Sequence, residues 1–326
     1  MNVSSPRQLL SALPHLIGFH PSNSIVTVAM DDDEILTIAR VDSKNEPIQL
    51  PTSVLATLRQ AARPATVLVA YRDEDITLEQ LTELVPQAQE FQQLDALWVR
   101  HSRWSSLMCD DLDCCPAEGN ALNEITATDL EFVVAGSAPF ASREDLASCL
   151  ESSRLDAKQH SLRDTACKEI EQEFEKERLK HESKVPVRSD YVNRLMRVWS
   201  DEAKWDWQAH ALLVLVVSDI QMRDGFLRQM LDQPSLRLAI RTTLMSAVSQ
   251  SHSDHVAPLA TALAGCAWLD GNGALATVAL DRALEVDSSY SLARLLERAI
   301  GHNVPPSVWT ESLEAVSYEE CLAGAA

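Results

Sequence analysis

The segment Trp104–Gly119 (WSSLMCDDLDCCPAEG) gathers three of the chain's seven cysteines, Cys109, Cys114 and Cys115, with four carboxylates, Asp110, Asp111, Asp113 and Glu118. Thiols and carboxylates are the side chains that ligate metals and that act as nucleophiles, acids and bases. Three readings follow: a metal site, a reactive or redox-active thiol, and a packed turn. The residues at stake are Cys109, Asp111, Cys114, Cys115 and Glu118.

For zinc, a structural site takes four thiolate or imidazole ligands, commonly as two spaced pairs. Here Cys109 precedes the adjacent pair Cys114 and Cys115, and no second Cys-x-x-Cys is present, so His101 or an aspartate would complete the set. Consecutive side chains diverge, which argues against both members of the pair holding one ion. The carboxylates suit Mg2+ or Ca2+ by type, without the ligand spacing of a calcium hand. A reactive thiolate needs positive charge or a helix N-terminus beside it. Asp110, Asp111 and Asp113 favour the neutral thiol instead, with Arg100 and Arg103 as nearby offsets. A Cys–His nucleophile would need His20 or His101 brought close by folding, and a reversible disulfide would join Cys109 to Cys114 or Cys115. In the third reading the cysteines pack as small apolar side chains and the aspartates hold turn N–H groups. The packed turn is the favoured reading and the metal its main challenger. Cys149, Cys167, Cys266 and Cys321 stand singly in helical contexts and read as packing residues.

Arg40 and Asp42 close one predicted strand and Tyr71 the next. Ligands collect beyond strand ends in open α/β sheets, so these three are candidates for a pocket shared with the cysteine loop. Glycine-rich phosphate loops, a Gly-x-Ser-x-Gly elbow and His-Glu-x-x-His are absent from the sequence. The formal net charge of −20, weighted toward the first 150 residues, repels phosphate backbones and anionic lipids. The longest apolar run, Ala211 to Val217, is far shorter than the roughly 20 residues of a membrane helix, and no signal peptide is read at the N-terminus. A cytosolic protein with reduced thiols, binding neither nucleic acid nor membrane, is the expectation.

The elements that must hold these residues read as follows. A short helix opens at Ser5-Pro6 and stops near Pro14; strands Ile25 to Met30 and Ile35 to Val41 flank a charged hairpin tip at Asp31–Glu34. A helix from Pro51 to about Arg63 precedes a buried strand, Thr66 to Tyr71, and Thr77 starts another helix. Strands follow at Leu94 to Val99 and Arg103 to Met108, and Leu130 to Ala135 closes the series. Alternating strands and helices imply an α/β domain over residues 1–150 with a mixed sheet. A polar helical connector, 151–190, leads to an all-α helical-bundle domain, 191–326, with helices at Tyr191 to Trp199, Trp207 to Leu231 and Pro234 to Ser249. Trp199, Trp205 and Trp207 read as helix-packing anchors. Ala257 to Ser289 reads as a helical hairpin around Gly271-Asn272-Gly273, with Ala264, Ala276 and Ala283 at close approaches; this one unit resembles a tetratricopeptide repeat.

Leu16–Ile25 (LIGFHPSNSI), Arg40-Val41-Asp42, the Cys109–Gly119 loop, Ser142-Arg143-Glu144, Arg223-Asp224 and Asp270–Ala274 together resemble the domain-of-unknown-function 4192 family over nearly the whole chain. The resemblance implies an architecture and carries no activity. The functional expectation is a non-enzymatic binding or adaptor protein, with a pocket near the loop and a protein-contact surface on the helices. The alternative is a metal- or thiol-dependent enzyme centred on the same loop. No cofactor is predicted, with zinc as the candidate ion.

Overall fold

The computed structural model describes residues 2–42, 49–71, 84, 91, 93–122, 126–134, 138–201, 205–302 and 304–324. The expected helix start at Thr77 lies outside the described residues. The chain divides into two units, Met1–Asp145 and Leu146–Ala326.

The first unit is built on a mixed six-stranded sheet in the order β2-β1-β3-β4-β5-β6. Its strands are β1 (Ser24–Asp31), β2 (Glu34–Asp42), β3 (Pro64–Tyr71), β4 (Gln93–Arg100), β5 (Arg103–Ser106) and β6 (Asn120–Ala121). Only β3 and β4 run parallel among these pairs; β1–β2, β1–β3, β4–β5 and β5–β6 are antiparallel. Val26 faces Val69 across β1 and β3 while Ile25 faces Ala70, so the apolar residues of β1 serve both faces of the sheet and the strand is buried along nearly its whole length. Helix α2 (Thr52–Gln60) covers one face, where Val54 and Leu58 pack with Ala29 and Phe91. The tip at Asp32 takes a positive φ of 56°, which a short polar side chain tolerates.

Helix α1 (Pro6–Ile17) is capped by the Ser5 hydroxyl, carries Pro14 inside its last turn and ends three residues beyond the expected stop at Pro14. A proline there forfeits one N–H bond near the end of the helix, and Gly18, at φ 90°, closes it by donating to the Pro14 carbonyl at 2.7 Å. The expected strand over Leu130–Ala135 is a helix where it is described: α3 (Ala127–Val134). Thr126 and Asp129 form a reciprocal N-terminal cap, the Asp129 carboxylate accepting from Thr126 N at 2.7 Å and the Thr126 hydroxyl from Asp129 N at 3.2 Å. With that cap, Leu130, Val133 and Val134 lie on an exposed surface rather than in a sheet. The sheet ends instead at the two-residue β6.

Helix α4 (Arg143–Ser148) starts at the expected Ser142, whose hydroxyl accepts from Asp145 N at 3.0 Å. The second unit is helical: α5 (Ala157–Lys180), α6 (Val185–Ser200), α7 (Trp207–Ser218), α8 (Ile220–Asp232), α9 (Arg237–Gln250), α10 (Ser253–Leu269), α11 (Gly273–Val286), α12 (Ser291–Gly301), α13 (Pro306–Glu314) and α14 (Tyr318–Ala323). Helix α5 packs on α7 and buries Ala166, Ile170 and Phe174. The helix expected over Trp207–Leu231 is two helices, because Asp219 leaves helical geometry and caps α8 by accepting from Met222 N at 3.0 Å. Trp199 stacks on Trp205 and on Phe226, each at 6.0 Å, as a packing anchor. Helices α10 and α11 form the hairpin read from sequence. Gly271 turns the chain at φ 74°, Asn272 caps α11, and Ala264, Ala276 and Ala283 are fully buried.

Candidate metal centre

The cysteine loop leaves β5 at Ser106 and returns at β6. Its middle is a single helix-like turn: Cys115 N donates to the Asp111 carbonyl at 2.7 Å, and the Asp111 carboxylate accepts from Asp113 N at 2.9 Å. Asp111 thus shapes the turn. Asn120 Nδ2 ties the Cys114 carbonyl to the start of β6 at 2.9 Å. The exit is clasped by Arg103 on the neighbouring strand. Its Nε donates to the Glu118 carbonyl at 2.6 Å and its Nη2 to the Gly119 carbonyl at 2.6 Å. Gly119 sits at φ 76°, with the place a Cβ would take only 3.0 Å from the Trp104 carbonyl.

This scaffold brings the sulfurs of Cys109, Cys114 and Cys115 within 4.8 Å of one another. In an extended chain adjacent side chains point to opposite faces, but in a helical turn they diverge by only about 100°. That difference is why the adjacent pair joins the cluster against expectation. Cys115 is buried, Cys109 half-buried and Cys114 exposed, so the cluster opens to solvent at one corner. The Cys114 thiol is pushed up to about 11, first by its hydrogen bond with Cys109 and the charge Cys109 would carry, then by the same effects from Cys115. A thiol held neutral in this way is a poor nucleophile at neutral pH. A cation inverts that logic, since a coordinated thiol is deprotonated outright.

Tetrahedral zinc with Zn–S bonds of about 2.3 Å needs sulfurs about 3.8 Å apart. The cluster lies within about 1 Å of that spacing, a distance that χ1 adjustments cover. All three donors are soft, which suits Zn2+ or Cu+ over Mg2+ or Ca2+. Glu118 is exposed and enters the clasp through its carbonyl.

The chain matches the family model described as "Domain of unknown function (DUF4192)" over residues 6–307. The chain belongs to this family. No curated protein and no solved structure matches it. Within this member of the family the remaining candidates stand elsewhere. His101 occupies the β4–β5 turn at φ 48° and lines a cleft together with Tyr71, while Cys109 lines a different one with Asp95 and Ser106. Arg40 pairs with Asp42 at 2.6 Å, donates to the Ser24 hydroxyl at 3.1 Å and lies over the Phe19 ring. Arg103 gives its donors to the loop's carbonyls instead of offsetting charge at the thiols. Its part as a clasp depends on β5 pairing with β6, which no local spacing announces.

Proposed function

We propose that this is a metal-binding protein whose N-terminal unit holds one thiophilic cation, zinc first, on Cys109, Cys114 and Cys115. The observation that carries the reading is the convergence of three thiols within 4.8 Å on one scaffolded turn. Three protein ligands leave the fourth position of a tetrahedral ion for water or for a donor from a bound molecule. Exposure of Cys114 supports a fourth position open to solvent. The protein therefore works as a binding module that presents a metal, and the carboxylate of Asp111 serves the turn rather than the ion.

The test is elemental analysis of protein purified without added metal, followed by zinc competition against a chromophoric chelator. About one zinc per chain is expected. Cys114→Ser, at an exposed position, keeps the circular dichroism of the wild type. It weakens binding by more than the ~10–100-fold typical of outer-shell changes. Metal-free protein that takes up no zinc at micromolar concentration would overturn the reading, as would wild-type affinity in Cys114→Ser.

A further inference from the structure

A cleft of about 600 Å³ opens beyond the carboxyl ends of the parallel strands β3 and β4, within the first unit. This is where open α/β sheets receive ligands, because strand ends and the following loops leave a concave, unfilled edge. The volume falls in the range of small-molecule sites. Leu10 and Val99 supply apolar wall, and Arg7, His20, Tyr71, Arg100, His101 and Asp129 supply the polar groups. Two guanidiniums and two imidazoles on one cleft stand out in a chain of net charge −20.

The lining offers one buried hydroxyl without a partner and one exposed guanidinium. Tyr71 is only 9% exposed, yet its hydroxyl makes no hydrogen bond among the described residues. A buried hydroxyl without a partner is costly, and native proteins keep such groups mostly where a ligand or water completes them. Burial pushes the Tyr71 phenol upward, so it stays protonated and is a donor at neutral pH. Arg100, the last residue of β4, is exposed and makes no ion pair with any described carboxylate. Asp129, the carboxylate on the lining, is already engaged by the amide and hydroxyl of Thr126 at 2.7 and 2.8 Å and lies 3.7 Å from His15 Nε2.

We propose that this cleft binds a small oxyanion, a phosphate or carboxylate group, with Arg100 as its charged partner and the Tyr71 hydroxyl as a buried donor. Guanidinium recognises both groups through paired N–H bonds. The site is separate from the thiol cluster and does not depend on it.

The experiment is titration calorimetry of the full-length protein at low salt with two probes, inorganic phosphate and succinate, which distinguish the two sources of the anion. At least one probe binds the wild type with millimolar affinity or better. Tyr71→Phe keeps the ring and removes the hydroxyl, so its melting temperature is unchanged or higher. Its affinity for that probe falls about tenfold, as for loss of a hydrogen bond to a charged group. Arg100→Gln, at an exposed position, melts as the wild type does and loses affinity by at least as much. Absence of binding by both probes up to about 10 mM overturns the proposal. Binding that both variants leave intact overturns it equally.

Discussion

Acidification should loosen the helical unit through one histidine. His210 on α7 is 1% exposed; its Nε2 lies 3.2 Å from the Ser251 hydroxyl, and its Nδ1 has no partner among the described residues. Its ring meets that of Trp207 in a T-shaped contact with centroids 5.4 Å apart. Desolvation first, then the charge of Arg163 and His255, pushes its pKa down to about 4 from 6.5. The folded imidazole is therefore neutral where the unfolded one already binds a proton. Its contribution is fully present above pH 6.5 and is lost as pH falls toward 4. Integrating that linkage gives a loss of about 2 kcal/mol by pH 5 and about 3 kcal/mol in total. The assay is urea unfolding of the full-length protein at pH 7.5 and pH 5.0, followed by circular dichroism, for wild type and His210→Gln. The wild type should lose about 2 kcal/mol more than the variant between the two pH values. His15 and His255, both also lowered, titrate in both proteins and largely cancel in the difference. An equal pH dependence in the two proteins would rule out a depressed His210 pKa as the cause. So would an NMR titration of the wild-type His210 ring with a midpoint near 6.5.

Two backbone positions carry further predictions. Gly119→Ala forces a Cβ toward the Trp104 carbonyl at positive φ, which costs about 1–2 kcal/mol locally and should weaken zinc uptake without touching a thiol; chelator competition reads it. Gly225→Ala on α8 would place a Cβ 2.8 Å from Leu322 Cδ2 and 3.2 Å from Tyr318 Cε2 of α14, so urea unfolding should show a loss of about 1–3 kcal/mol.

The elements visible from sequence are those whose signals are local. The α10–α11 hairpin was legible because Gly271, Asn272 and the small alanines lie within a few residues of the turn they shape. Strands β1 and β3 were legible because β-branched residues bounded by turn residues leave few alternatives. Where the fold departs from those patterns, the deciding signals are also local but finer. Leu130–Val134 has strand composition, but the Thr126–Asp129 cap three residues apart specifies a helix start. Asp219 looked like an interior residue of one long helix, but its short carboxylate prefers to cap.

The cysteine loop divides along the same line. That three thiols and a turn-forming Asp111 share one short segment follows from the sequence alone, because contacts across four residues need no distant partner. The same holds for membership of the family, whose model spans residues 6–307. Whether the thiols converge was decided by tertiary structure, through the Asp111–Cys115 turn held between β5 and β6 and the Arg103 clasp on its exit. Tertiary structure also decided that Tyr71, Arg100 and His20 meet at one cleft while Cys109 faces another. Strand order and register set those neighbourhoods, and hydrogen bonds between residues far apart in the chain leave no spacing in the sequence from which to read them.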